Sequence, residues 1–139
     1  MANNITLTII KPYAVHEGLA GEIFDRITKT GYKIIALKQV HLTKKQAEIF
    51  YSVHKGKDFY DALTDYMSSG PIIASILEKN NAVEDYRKFI GSTDPVKAKN
   101  GTLRKIYGFS LSKNAVHGSD SDKNAEIEAN FFFSGLERY

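Results

Sequence analysis

The chain contains no cysteine and no tryptophan, and only 3 prolines. Without cysteine there are no disulfides and no thiolate metal ligands. Long apolar runs are missing too. No stretch approaches the roughly 18 consecutive apolar residues of a membrane-spanning helix, so no membrane association is expected. The opening Met1-Ala2-Asn3-Asn4 lacks the basic start and apolar core of a secretory leader, which makes the cytoplasm the expected compartment. Charge of one sign is scarce: the net +3 suits an anionic ligand but is too small to argue for nucleic acid. There is no internal repeat and no low-complexity segment. What remains is an ordinary globular composition, 42% hydrophobic and 25% charged in 139 residues, which implies a single domain over residues 1–139 with a sizeable core.

Hydrophobic periodicity divides the chain. Ile5, Leu7 and Ile9 alternate with Thr6 and Thr8, the period of a strand. Pro12 ends that strand and leaves Lys11, which shares the parity of the apolar residues, at its tip. Residues 21–30 carry Ile23, Phe24 and Ile27 at helical spacing, with Gly31 as the C′ residue. Residues 32–42 read as a second strand. Thr43 caps a helix running to Tyr51, and a further helix covers 58–67. Pro71 to Leu77 is nearly all apolar, as in a central strand buried on both faces. Residues 81–90 form a helix closed by Gly91, with Arg87 bordering its packed side. From 91 to 114 regular patterning fades into a long loop rich in cations and hydroxyls, the kind of loop that often carries function. The order predicts an α+β protein of the ferredoxin-like βαββαβ kind, with helices gathered on one side of an antiparallel sheet and a long inserted loop.

Asn114-Ala115-Val116-His117-Gly118-Ser119-Asp120-Ser121 is the stretch with chemistry in it. Ala115 and Val116 form a packed lead-in, and Gly118 lets another group approach the imidazole. Ser119, Asp120 and Ser121 are all good helix N-caps, and helical periodicity begins at Asp122, which puts His117 just ahead of a helix end that favours anions. Within the helix 122–132, Glu128 shares a face with Ala125, Phe131 and Phe132. A carboxylate on a packing face needs a partner. A histidine with a carboxylate to orient it is the pattern of an activated nucleophile or base.

These residues resemble the nucleoside diphosphate kinase family. The N-x-x-H-G-S-D signature stands at Asn114 to Asp120. Supporting segments follow in family order: Ile10-Lys11-Pro12, Lys57-Asp58-Phe59, Ser68-Ser69-Gly70-Pro71, Ile90-Gly91-Ser92-Thr93-Asp94-Pro95 and Gly101-Thr102-Leu103-Arg104. The resemblance implies ping-pong transfer of the γ-phosphate from ATP or another nucleoside triphosphate to a diphosphate through a phosphohistidine at His117, with broad base and sugar tolerance. It further implies that Glu128 orients the ring and that Tyr51 and Lys11 serve the transfer. Arg87, Thr93 and Arg104 would bind phosphates, Asn114 and Lys11 the sugar, and Phe59 with Leu63 the base. Magnesium would be carried on the nucleotide phosphates with no dedicated protein site, and the chain would form a tetramer or hexamer of identical subunits.

Four positions depart from the family pattern. Tyr13 stands in place of the usual aspartate after Lys-Pro, Ala14 in place of a common glycine, Asp58 in place of a frequent proline, and Asp94 in place of a frequent asparagine. The acids add negative charge near expected phosphate contacts, so reduced nucleotide affinity is expected. Two rival readings follow from the residues: a catalytically impaired nucleotide-binding protein, on account of Tyr13, and a module for single-stranded nucleic acid. The second would use Lys105 to Leu111 as a basic-aromatic strand, but Ile106 occupies the expected glycine and the final aromatic is missing.

Overall fold

Strand β1 (Ile5–Ile10) lies inside the sheet, between β3 and β4, and five of its six side chains are buried. The computed structural model describes residues 4–139; Met1 to Asn3, on which the reading of the N-terminus partly rests, lie outside them. The elements are β1, α1 (Pro12–His16), α2 (Ala20–Lys29), β2 (Lys33–Val40), α3 (Lys44–Phe50), α4 (Tyr60–Met67), β3 (Ile72–Glu78), α5 (Ala82–Ile90), α6 (Leu103–Tyr107), β4 (Val116–Gly118) and α7 (Asp122–Phe132), with short 3₁₀ turns at Ser52–His54 and Gly135–Glu137. The sheet runs β2-β3-β1-β4, and every neighbouring pair is antiparallel. That is the expected ferredoxin-like order.

Local signals set the boundaries. Pro12 occupies the first turn of α1, where no ladder donor is needed, and β1 stops two residues earlier. Thr43 caps α3 in a reciprocal box with Gln46, and Ser121 caps α7 by accepting from the Asn124 amide. Gly31 takes a left-handed φ of 103° just after α2.

Helices cover both faces of the sheet, not one. Leu7, Ile9, Ala74 and Ile76 pack with α3, α4 and α7, while Ile10, Leu77 and Val116 pack with α1, α2, α5 and α6. Thr6 and Thr8, on the strand face opposite Leu7 and Ile9, are both fully buried. Thr8 is reconciled with that burial by the Tyr86 hydroxyl, 2.7 Å from its own. The long loop also holds a helix. Five-residue α6 begins where Thr102 accepts the Lys105 amide, and it is too short to show an apolar period in sequence.

Candidate active site

His117 is the middle residue of β4, just ahead of the Ser121 cap of α7, and Ile9 faces it across the ladder. Cross-strand partners share a sheet face, so the imidazole projects toward α7 and α3, the side to which Lys11 belongs by parity. There His117 Nε2 lies 2.8 Å from Glu128 Oε1, both side chains being largely buried. Ser119 donates its hydroxyl to the same carboxylate oxygen at 2.8 Å and accepts the Leu7 amide at 3.0 Å. The carboxylate is thereby held from two sides. With Nε2–H given to Glu128, the lone pair falls on Nδ1, the nitrogen left to attack an electrophile.

Aromatic rings enclose the imidazole. Phe50 meets it edge-on at 5.6 Å and Tyr51 at 6.2 Å. Tyr51 is buried, and burial, reinforced by the Glu128 carboxylate, raises its phenol well above the ordinary value. It therefore stays a neutral donor. His54 stacks on Tyr51 and lies 5.2 Å from Phe59, whose ring is 48% exposed and free to receive a flat group. Burial first, and then the Lys57 charge, lower the His54 pKa. Leu63 is half-buried one helical turn beyond Phe59.

Cations converge from the other side. Arg104, only 9% exposed, donates to the carbonyls of Gly91 (3.1 Å) and Val116 (2.9 Å), which fixes its guanidinium beside the strand that bears His117. Desolvation chiefly, with Arg87 adding repulsion, lowers its pKa to about 10. Lys11 is 7% exposed, and its backbone N–H donates to Ala115 at 2.9 Å. Burial, aided by the Arg104 charge, lowers the ammonium pKa to about 7. Arg87, Thr93 and Arg104 line one cleft of about 490 Å³. His117 is not among its lining residues; Arg104 joins the cleft to β4 through the carbonyl of Val116. Asn114 is buried, and its amide donates to the Thr93 carbonyl at 3.0 Å. Lys11, Arg87 and Arg104 make no ion pair among the described residues. Tyr51 Oη, His54 Nδ1, Arg104 Nε and Asn114 Oδ1 are buried without a protein partner among those residues. Buried polar groups left unpaired in this way carry a free-energy cost that a polar ligand relieves.

The contacts form two groups: Glu128, His117 and Tyr51, with Phe59 reached through His54, and the cleft of Arg87, Thr93 and Arg104, to which Asn114 is bonded through Thr93. Ser119, Phe50 and His54 were missed. Ser119 passed for a helix cap, although its offset of two from a strand residue puts it on the face of His117. Tyr13 packs at a tilt against Phe109, ring centres 5.2 Å apart, in a second cleft whose lining excludes Arg87 and Arg104. Asp94 accepts the Val96 amide at 3.0 Å, and Asp58 is exposed. Lys105 to Leu111 forms the end of α6 and a loop rather than a strand, so it offers no sheet platform for bases.

A small antiparallel α+β domain with a carboxylate-held histidine beside unpaired buried cations is of the phosphotransferase class. The family profile described as nucleoside diphosphate kinase matches residues 4–138. The nucleoside diphosphate kinase of Flavobacterium psychrophilum is 52% identical over 139 residues, covering all of both chains, and that of Persephonella marina is 50% identical, covering 95% of this chain and 94% of its own. The Aquifex aeolicus nucleoside diphosphate kinase structure superposes with a TM-score of 0.96 at 40% identity, over 98% of this chain and 99% of that one. A Halobacterium salinarum enzyme solved in complex with CDP gives 0.94 at 33% identity, over 99% and 91% respectively. The chain belongs to the nucleoside diphosphate kinase family.

Proposed function

We propose that the chain moves the γ-phosphate of a nucleoside triphosphate to a nucleoside diphosphate through His117. The observation that carries this reading is the 2.8 Å bond between His117 Nε2 and Glu128, which leaves Nδ1 with its lone pair. Nδ1 attacks the γ-phosphorus, an N–P bond forms, and the bond to the bridging oxygen breaks as the diphosphate leaves. The ring gains positive charge on bonding, and Glu128, held by Ser119, stabilises it. A second diphosphate then attacks the same phosphorus, the N–P bond breaks, and the free imidazole returns. One site serves donor and acceptor in turn, so the kinetics are ping-pong.

Lys11, Arg87 and Arg104 supply positive charge around the transferring group, and Tyr51 supplies a neutral donor beside it. Thr93 and Asn114 position the phosphates and the sugar. Phe59, with Leu63 behind it, stacks the base, and since every base has a π-face the site tolerates many of them. A divalent metal, magnesium in this reading, enters bound to the nucleotide. The residues present fit an ion carried on the phosphates, because the cleft is lined by cations, which suit phosphate oxygens and repel a bare metal ion. Residues 1–139 act as one domain in the cytoplasm, and no described helix is long and apolar enough to cross a membrane. Exposed apolar side chains such as Leu37, Phe109 and Leu111 support assembly into a tetramer or hexamer.

Incubation with γ-labelled ATP tests the reading. The protein acquires an acid-labile phosphate that a chase with GDP removes, and His117→Ala abolishes the label. An unlabelled wild-type protein refutes the proposal.

A further inference from the structure

The cleft beside Arg104 holds more positive charge than the transfer reaction uses. Its lining adds Lys88, Lys97 and Lys99 to Arg87 and Arg104, and contains no carboxylate. Lys97 and Lys99 enter no ion pair among the described residues; Lys88 reaches Glu84 at 3.6 Å, between two well-exposed side chains. The floor is tightly built. Gly91, at a φ of +90°, lies so close to Thr102 that a Cβ there would come within 2.5 Å of the hydroxyl oxygen. Arg104 is buried at this floor with Nε unpaired. Five like charges around one cleft repel each other unless an anion joins them. A metal-bound triphosphate is already met by Lys11, Arg87 and Arg104, which leaves three lysines in surplus.

We propose that this cleft binds a linear inorganic polyphosphate, whose successive anions run from Arg87 and Arg104 along Lys97 and Lys99. The inference builds on the function proposed above, because Arg87, Thr93 and Arg104 are shared, and it makes polyphosphate a competitor of the nucleotide. A bare phosphate chain suits the lining better than a nucleic acid does. Single strands bind through bases stacked on aromatic rings beside the cations, and the lining has no aromatic residue, Ile90 being its one large apolar side chain. The exposed hydroxyls of Ser92 and Thr93 add donors suited to phosphate oxygens.

Calorimetric titration of the full-length protein with long-chain polyphosphate, together with ATP-to-GDP transfer assays, tests the site. The wild type binds polyphosphate with an affinity that falls steeply with salt, and polyphosphate inhibits competitively against ATP. Lys97→Glu/Lys99→Glu weakens polyphosphate binding by about tenfold or more, because two cations that attract the chain become anions that repel it. Transfer kcat/KM falls by much less than polyphosphate affinity, because the nucleotide meets Arg87 and Arg104 directly and the two lysines only through their field in the shared cleft. The milder Lys97→Gln/Lys99→Gln gives an intermediate loss, which separates a binding effect from misfolding. No binding by the wild type, equal binding by wild type and variants, or a parallel fall in kcat/KM overturns the proposal. So does a single-stranded oligonucleotide of matched charge that binds as tightly. His117→Ala keeps its polyphosphate affinity, and a wild type that binds polyphosphate yet takes no label would sink the transfer function and leave this site standing.

Discussion

Glu128→Gln isolates the charge of the carboxylate that holds the nucleophile. The glutamine is nearly isosteric, and its carbonyl oxygen can still accept from His117 Nε2 and from the Ser119 hydroxyl, both 2.8 Å from Oε1 in the native chain. What disappears is the negative charge facing an imidazole that becomes cationic as the N–P bond forms. Hydrogen bonds to charged groups contribute about 1.5–3 kcal/mol and neutral ones about 1. The pair is sheltered, with side-chain exposures of 17% and 16%, so solvent screens little of the difference. A loss of about 1–2 kcal/mol in the transition state slows phosphoenzyme formation roughly 5- to 30-fold. Glu128→Ala removes the acceptor altogether and strands two buried donors, which costs about 3–4 kcal/mol and slows transfer by more than roughly 100-fold. The assay is rapid-quench labelling with γ-labelled ATP, with thermal unfolding run alongside. A Gln variant as fast as wild type, or one as inert as His117→Ala, refutes the assignment of Glu128 as an orienting and charge-stabilising group.

Lys11 supplies two further expectations. Because burial lowers its pKa from 10.5 to about 7, the free enzyme loses this cation as pH rises through 7. The kcat/KM profile therefore falls on that limb, and Lys11→Arg moves the fall to higher pH; an unchanged profile refutes this. Between pH 7 and 10.5 the unfolded chain binds a proton that the folded chain does not, so stability rises with pH across this window. Lys11→Met flattens that rise and increases Tm at pH 7 while abolishing transfer, and a lower Tm would contradict the burial penalty. Phe59→Ala raises nucleotide KM by the loss of about 1–3 kcal/mol of stacking, similarly for ATP, GTP and CTP, with Tm nearly unchanged because the ring is 48% exposed; a loss confined to one base would argue for specific readout. Gly91→Ala forces a side chain into a left-handed backbone against Thr102 and destabilises by about 2–4 kcal/mol in urea unfolding. A neutral result there would show that the loop holding Arg104 yields freely.

The sequence by itself determined what local chemistry can determine. Pro12, Thr43, Ser121 and Gly31 mark element ends because each acts on backbone groups within a turn of itself. Glu128 was legible as a partnered acid because the face it shares with Ala125 and Phe132 follows from helical spacing alone. Roles that rested on family likeness, such as those of Arg87, Thr93 and Asn114, had no local signature. Tertiary structure decided the rest. Only the pairing of β4 with β1, more than 100 positions apart, puts His117 on the face of Lys11 and Glu128, and one register step would turn it to the opposite face. Burial of the second sheet face behind Thr6 and Thr8, and the wedging of Arg104 between Gly91 and Val116, likewise depend on contacts that no neighbouring residue specifies. Caps and periodicities act over a few residues, whereas an active site is assembled by the burial of side chains that are distant in the chain.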